Sequence, residues 1–170
     1  MNMKSIKDVF IHLLSDTYSA EKQLTRALAK LAREASSETL SSAFKTHLEE
    51  TRMQIERLDQ IIHEASGLKL KRIKCIAMEG LIDEANEVIE NTDKGEIRDV
   101  ALIAVAQKVE HYEIASYGTL ATLAAQLDLT DAVTLLTETL EEEKATDLKL
   151  TDLAINTMNQ TAQPEKNTRG

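Results

Sequence analysis

Glu110 and Glu113 stand three residues apart in the middle of an apolar helical stripe that runs Ile103, Ala106, Glu110, Glu113, Tyr117, Leu120, Ala124, Leu127. An apolar stripe goes inside a folded domain, and a bare buried carboxylate costs several kcal/mol unless something neutralises it. Three other segments repeat the anomaly. The stripe Phe10, Leu14, Thr17, Glu21, Leu24, Leu28, Leu31 carries one acid, and Val133, Leu136, Leu140, Glu143, Asp147, Leu150, Ala154 carries two. The stripe Leu40, Phe44, Leu48, Thr51, Ile55, Leu58, Ile62 holds none, but Glu50 flanks it and His47 lies one turn earlier on the same flank.

Each interruption falls near the midpoint of its segment. Antiparallel helices bring their midpoints to one level, so Glu21, Glu50, Glu110, Glu113, Glu143, Asp147 and His47 would converge. Like charges that close cannot all stay ionised unless cations lie among them. Hard oxygen ligands with one or two nitrogens suit Fe or Mn, with Zn as a substitute. In carboxylate-bridged pairs the ions lie roughly 3.5–4 Å apart. The expectation is two metal ions, iron first, with manganese or zinc as alternatives. Taken singly, each acid reads better as an edge position whose side chain reaches water. Four stripes interrupted at one depth read better as a site.

Other candidates carry less. His111 neighbours Glu110 but points about 100° away around the helix, a position for an outer or subunit contact. Tyr117 lies in the stripe, and Tyr18 lies beside that of the first segment; either could hydrogen-bond a ligand or simply fill the core. Cys75 has no partner cysteine and reads as a packed side chain. The basic run from Lys69 to Lys74 reads as a solvated face.

The elements that must position the site follow from periodicity and caps. Ser5 with Asp8 opens the first helix, Ser37 caps the second, and Gly67 stops it. A shorter helix is expected from about residue 73 to 89, then a fourth capped by Asp93 with Glu96, and a fifth capped by Thr130. The turns within the first and last helix pairs are short, so each pair packs antiparallel. Aromatics at 3%, five Gly and one Pro suit helices rather than sheets. The fold class is all-α: a ferritin-like four-helix bundle with one long crossover that contains an additional helix. Residues 1–160 are expected to form a single domain, and 161–170 a polar C-terminal tail.

The template for such bundles takes one Glu from each of two helices and Glu-x-x-His from each of the other two. Glu21 and one of Glu110 and Glu113 fill the single-Glu places. The second helix has the reversed order, His47-x-x-Glu50, and the fifth has Glu143-x-x-x-Asp147 without a His.

A net charge of −9 argues against nucleic-acid or anionic-membrane partners. One Cys fits a reducing compartment, and no segment reaches transmembrane length or forms a secretory signal, so the expected location is the cytoplasm. The stretch "VALIAVA" is apolar on all sides and suits contact with the core plus a crossover or a partner helix.

The stretches "YSAEKQL", "HLEETRMQIERL", "CIAMEGLIDEA", "AQKVEHYEIASYGTL" and "ETLEEEKATDLKLTDLA" resemble the bacterial YciE/YciF family of ferritin-like proteins, over almost the whole chain to about residue 155. That family is associated with stress responses and has no settled activity. The resemblance implies a dinuclear metal centre and a homodimer. It carries over Glu21, Glu50, Glu110, Glu113 and Glu143 as ligands, with His47 and Asp147 as further candidates. Two functions follow as expectations. One is a non-haem di-metal protein that oxidises Fe(II) or reduces oxygen or peroxide. The other is a non-catalytic stress or interaction protein whose metal site is structural or vestigial.

Overall fold

Five helices and no strand make up the described residues of this computed structural model, 3–65 and 67–155. They are α1 (Ile6–Glu34), α2 (Glu38–Glu64), α3 (Ile76–Asn91), α4 (Glu96–Gln126) and α5 (Thr130–Leu153). The expected C-terminal tail lies outside the described residues.

The four long helices form a ring in which α1 packs on α2, α2 on α5, α5 on α4 and α4 on α1. Cross-helix pairs show that the neighbours are antiparallel. Glu34 reaches Arg98 while Asp16 reaches Tyr112, and Glu50 reaches Thr146 while Arg57 reaches Glu138. The crossover climbs alongside α1 from the end of α2 to the start of α4. Its Lys71 and Cys75 amides donate to the Ser15 and Ser19 hydroxyls, and higher up Lys30 donates to Asn86. As expected, α3 lies outside the bundle, against α1 and α4. It covers the second apolar face of "VALIAVA", so the crossover accounts for that pattern.

Local signals explain most boundaries. The Ser5 hydroxyl accepts from the Asp8 amide and that of Ser37 from the Leu40 amide, as the sequence predicts. Three starts differ. The helix after the basic run begins at Ile76, because the Cys75 thiol is its cap and accepts from the Met78 amide. The α4 cap is Gly95 rather than Asp93, and that of α5 is Leu129 rather than Thr130; neither start has a side-chain cap bond. At the α2 end the helix stops at Glu64, and Gly67 adopts φ 89°, which its missing Cβ permits.

One junction depends on a single carboxylate. Asp99 is buried, and its two oxygens accept from the Ser36 and Ser37 amides at 2.7 Å each, tying the α1–α2 turn to α4. Buried amides left without an acceptor cost their desolvation. Asp99→Ala is therefore expected to destabilise the protein by about 2 kcal/mol. Urea unfolding would read this as a lower midpoint at constant slope; an unchanged midpoint would show that water replaces the carboxylate there.

Two apolar clusters fill the bundle. One is built on Leu24, Phe44, Leu102, Ala106 and Leu150, and the other on Leu14, Leu58, Tyr117, Leu120 and Leu136. On every long helix the interval between them is polar: Thr17 and Glu21, His47 to Gln54, Glu110 and Glu113, Thr139 to Thr146. A belt of polar side chains thus separates two dry cores.

Candidate metal centre

The belt is deeply buried: Glu21 and Glu143 are 0% exposed, Glu110 and Glu113 1%, and His47 3%. His47, Glu110, Glu113 and Glu143 each offer one ligand atom, and these four atoms lie within 4.8 Å of one another. The His47 Nε2 atom is 3.3 Å from Glu110 Oε1, 3.8 Å from Glu113 Oε2 and 4.0 Å from Glu143 Oε2. Glu21 joins from α1 against Glu113, with one oxygen accepting from the Tyr117 hydroxyl. Glu50 flanks the group, its Oε2 lying 3.6 Å from His47 Nδ1 and its side chain 22% exposed. Asp147 stands apart. It lies 3.5 Å from the exposed His111 ring, so the outer contact expected of His111 is with this acid.

The charges are badly placed for an ion-free core. Burial pushes the Glu110 carboxyl up to about 7, with Glu113 and Asp147 adding repulsion and His47 opposing it. Burial, then repulsion from Glu113, raises Glu21 and Glu143 well above the ordinary carboxyl value. For His47 burial acts to lower the value, but Glu110, Glu113, Glu50 and Glu143 together hold it well above normal. Tyr117 is raised by burial and by Glu21, so it keeps its proton and donates it.

A cation fits this site on the evidence of its orphaned atoms. Among the described residues, Glu21 Oε2, Glu110 Oε2, both oxygens of Glu113, both of Glu143 and both His47 nitrogens are buried without a well-directed hydrogen bond. Buried polar atoms normally find partners, and so many exceptions in one place require an explanation. A metal ion supplies one: it would pair with the oxygens and accept a neutral imidazole nitrogen.

The structure changes the reading of two helices. In α2 the buried face is wider than one stripe: besides Leu40, Phe44, Leu48, Thr51, Ile55 and Leu58 it takes in His47 and Gln54, and Ile61 rather than Ile62 closes it. In α5 it is Ala132, Leu136, Thr139, Glu143, Thr146, Leu150, so Asp147 yields to Thr146 and moves to the flank. Gln54 is fully buried and donates to Glu142 at 3.1 Å. The steps from His47 to Thr51 to Gln54, four residues and then three, are the helical signal that marks it. A second polar group also escaped notice. The Tyr112 hydroxyl donates to Asp16 at 2.9 Å, and the Cys75 sulfur lies 3.0 Å from that hydroxyl.

A four-helix bundle with one long crossover and a buried carboxylate–imidazole group at mid-height is a ferritin-like helical protein. The chain belongs to the family described as Domain of unknown function (DUF892), which it matches over residues 5–163. It is 74% identical over 163 residues to Protein YciF of Escherichia coli strain K12, covering 96% of this chain and 98% of that one. The crystal structure of the E. coli stress protein YciF matches with a TM-score of 0.90 at 75% identity, over 93% of this chain and 99% of that one. YcfI from Rhodopseudomonas palustris, provisionally described as a structural protein, matches with a TM-score of 0.83 at 46% identity, over 88% and 95%. These matches bear out the resemblance of the five sequence stretches. Among the described residues no helix is long and apolar enough to cross a membrane.

Proposed function

We propose that the chain is a dinuclear-metal protein, with iron as its preferred metal, that oxidises Fe(II) or reduces oxygen or peroxide. The observation that supports this is the set of buried, unpartnered ligand atoms on four helices. Glu110 and Glu113 from α4, Glu143 from α5 and His47 from α2 would hold the ions, with Glu21 completing the set from α1. Tyr117 keeps one Glu21 oxygen occupied, which leaves the other for a metal. Glu50 sits at the remaining His47 nitrogen and orients the ring. Asp147 adds negative charge near Glu110 without joining the group. When bound, two ions would supply electrons and Lewis acidity for oxygen or peroxide chemistry. The residues do the rest: the two apolar clusters shield the site above and below, and the buried carboxyls would give up their protons as the ions bind.

Protein from iron-replete cells, purified without chelator or affinity metal, is expected to carry two metal ions per chain. Reconstituted with Fe(II), it should consume oxygen or peroxide. A metal content far below one ion per chain would overturn the proposal. The provisional structural description of YcfI favours a second reading, in which the ions only tie four helices together. Bound metal without any oxidant consumption is the signature of that role.

A further inference from the structure

A cavity of about 260 Å³ opens between α2 and α5 and ends on the cluster, because His47 and Glu110 line it. Those two residues are 3% and 1% exposed, so they form its floor. Phe44 and Leu150, both buried, form apolar walls, and Ala43 and Thr46 lie at the rim. The mouth is polar but nearly balanced: Lys149 Nζ is 3.9 Å from Glu50 Oε1, and Thr146 donates to Glu50 Oε2 at 3.4 Å. The cavity between α1 and α4, lined by Asp16, Tyr112 and Ala115, includes none of the four clustered residues. The crossover thickens the α1–α4 side, whereas among the described residues no helix lies over the α2–α5 side.

Each part of this pocket constrains its occupant. Oxygen or hydrogen peroxide alone needs neither the volume nor the apolar walls. A strongly charged molecule gains little at a mouth where Glu50 and Lys149 offset one another. The floor presents buried ring-nitrogen and carboxylate atoms without hydrogen-bond partners, and so rewards a polar head. We propose that this cavity is the entry and binding pocket for a small, uncharged organic molecule with a polar head and a short apolar body, its head meeting His47 and Glu110. The proposal rests on reading the cluster as a metal centre, and it names the class of molecule that reaches that centre.

The test uses Co(II)-loaded full-length protein and two neutral chelating probes, acetohydroxamic and benzohydroxamic acid, which share a head and differ in apolar body. The readout is the visible absorption of the bound Co(II). The benzo probe should bind roughly ten-fold tighter or more, from the extra apolar area buried against Phe44 and Leu150. Ala43→Phe fills the rim and should abolish that preference while the Co(II) spectrum without probe stays intact. Thr46→Phe, on the exposed side of the same rim, repeats the test should the first variant misfold. Ala115→Phe, in the α1–α4 cavity, should change nothing. Equal binding of the two probes by wild-type protein, or a preference that survives both rim variants, would overturn the pocket and leave the metal centre standing. Wild-type protein that takes up no Co(II) would overturn both.

Discussion

Replacing Glu143 by Leu is expected to abolish metal binding and, at the same time, to make the metal-free protein more stable. Glu143 is fully buried, and among the described residues neither of its oxygens has a hydrogen-bond partner. Burial and the nearby Glu113 already push its carboxyl toward the neutral form, so in the absence of metal it adds repulsion and an unmet polar group. Leu has a similar volume and suits the apolar layers above and below. Replacement of buried charge by a well-packed apolar side chain is neutral or stabilising in other proteins, and here a gain of roughly 1–3 kcal/mol is expected. Comparison of chelator-stripped variant and wild type by urea unfolding reads the gain, and metal analysis reads the loss. A stripped variant less stable than stripped wild type would show that Glu143 has a structural partner of its own. Residues kept at a cost to stability mark a site of function.

Metal should stabilise the protein most where protons stabilise it least. A buried carboxyl with a raised folded value binds its proton more tightly in the folded chain than in the unfolded one. That contribution is complete below the ordinary value of 4.5 and fades as pH climbs, for Glu110 toward about 7. His47, raised from 6.5, acts in the same direction: its contribution is lost as pH rises through its folded value. Glu50 is lowered, chiefly by its contact with His47, but that contribution is lost only as pH falls below the ordinary carboxyl range, so it is the same at about pH 5.5 and about pH 7.5. Surface acids favour lower pH too, weakly, because salt screens them. Stripped protein should therefore be less stable at about pH 7.5 than at about pH 5.5.

Metal ions compete with those protons for the same oxygens, so their affinity grows as pH rises. At a hundred-fold excess over the dissociation constant the gain is about 2.7 kcal/mol, or roughly 5–10 °C in Tm for a chain of this length. Thermal unfolding of stripped and loaded protein at both pH values, in moderate salt, measures it. A gain that is absent at the higher pH, or larger at the lower one, would mean that these acids do not hold the ions.

The helices that showed their buried face in plain apolar spacing were legible from sequence. In α1 every member of the stripe Phe10 to Leu31 is buried, and Glu21 stands where periodicity puts it. The same holds for Ile103 to Ala124 in α4. The α2 line was harder, because each inward polar residue has an apolar neighbour: His47 precedes Leu48, and Gln54 precedes Ile55. Apolarity favours the leucine and isoleucine for the central place. The bundle instead gives them its covered flank, where they are 9% and 6% exposed. Only the pull of the cluster, which one helix cannot reveal, ranks an imidazole above a leucine. In α5 the exchange runs the other way: Thr146 takes the inward place and Asp147 meets His111 on the flank. The Tyr112–Asp16 bond and the approach of Cys75 to both depend on how α4 and the crossover lie against α1, a long-range fact that local spacing does not encode.

The polar belt between the two dry cores also sets the alignment of the helices along the bundle axis. Leucine and alanine layers are nearly interchangeable, so a bundle packed with them alone tolerates one helix sliding past its neighbours by a turn, about 5.4 Å. Here such a slide, between three and four residues, would carry Glu110 to the layer of Ala106, or Glu113 to that of Tyr117. The displaced carboxylate would lose His47 and lie against hydrocarbon, while the belt would keep only one of the two α4 acids. Each misaligned bundle would therefore be penalised twice, at the acid's new level and at its old one. The group that weakens the metal-free fold is thus also the pin that leaves the four helices one way to line up.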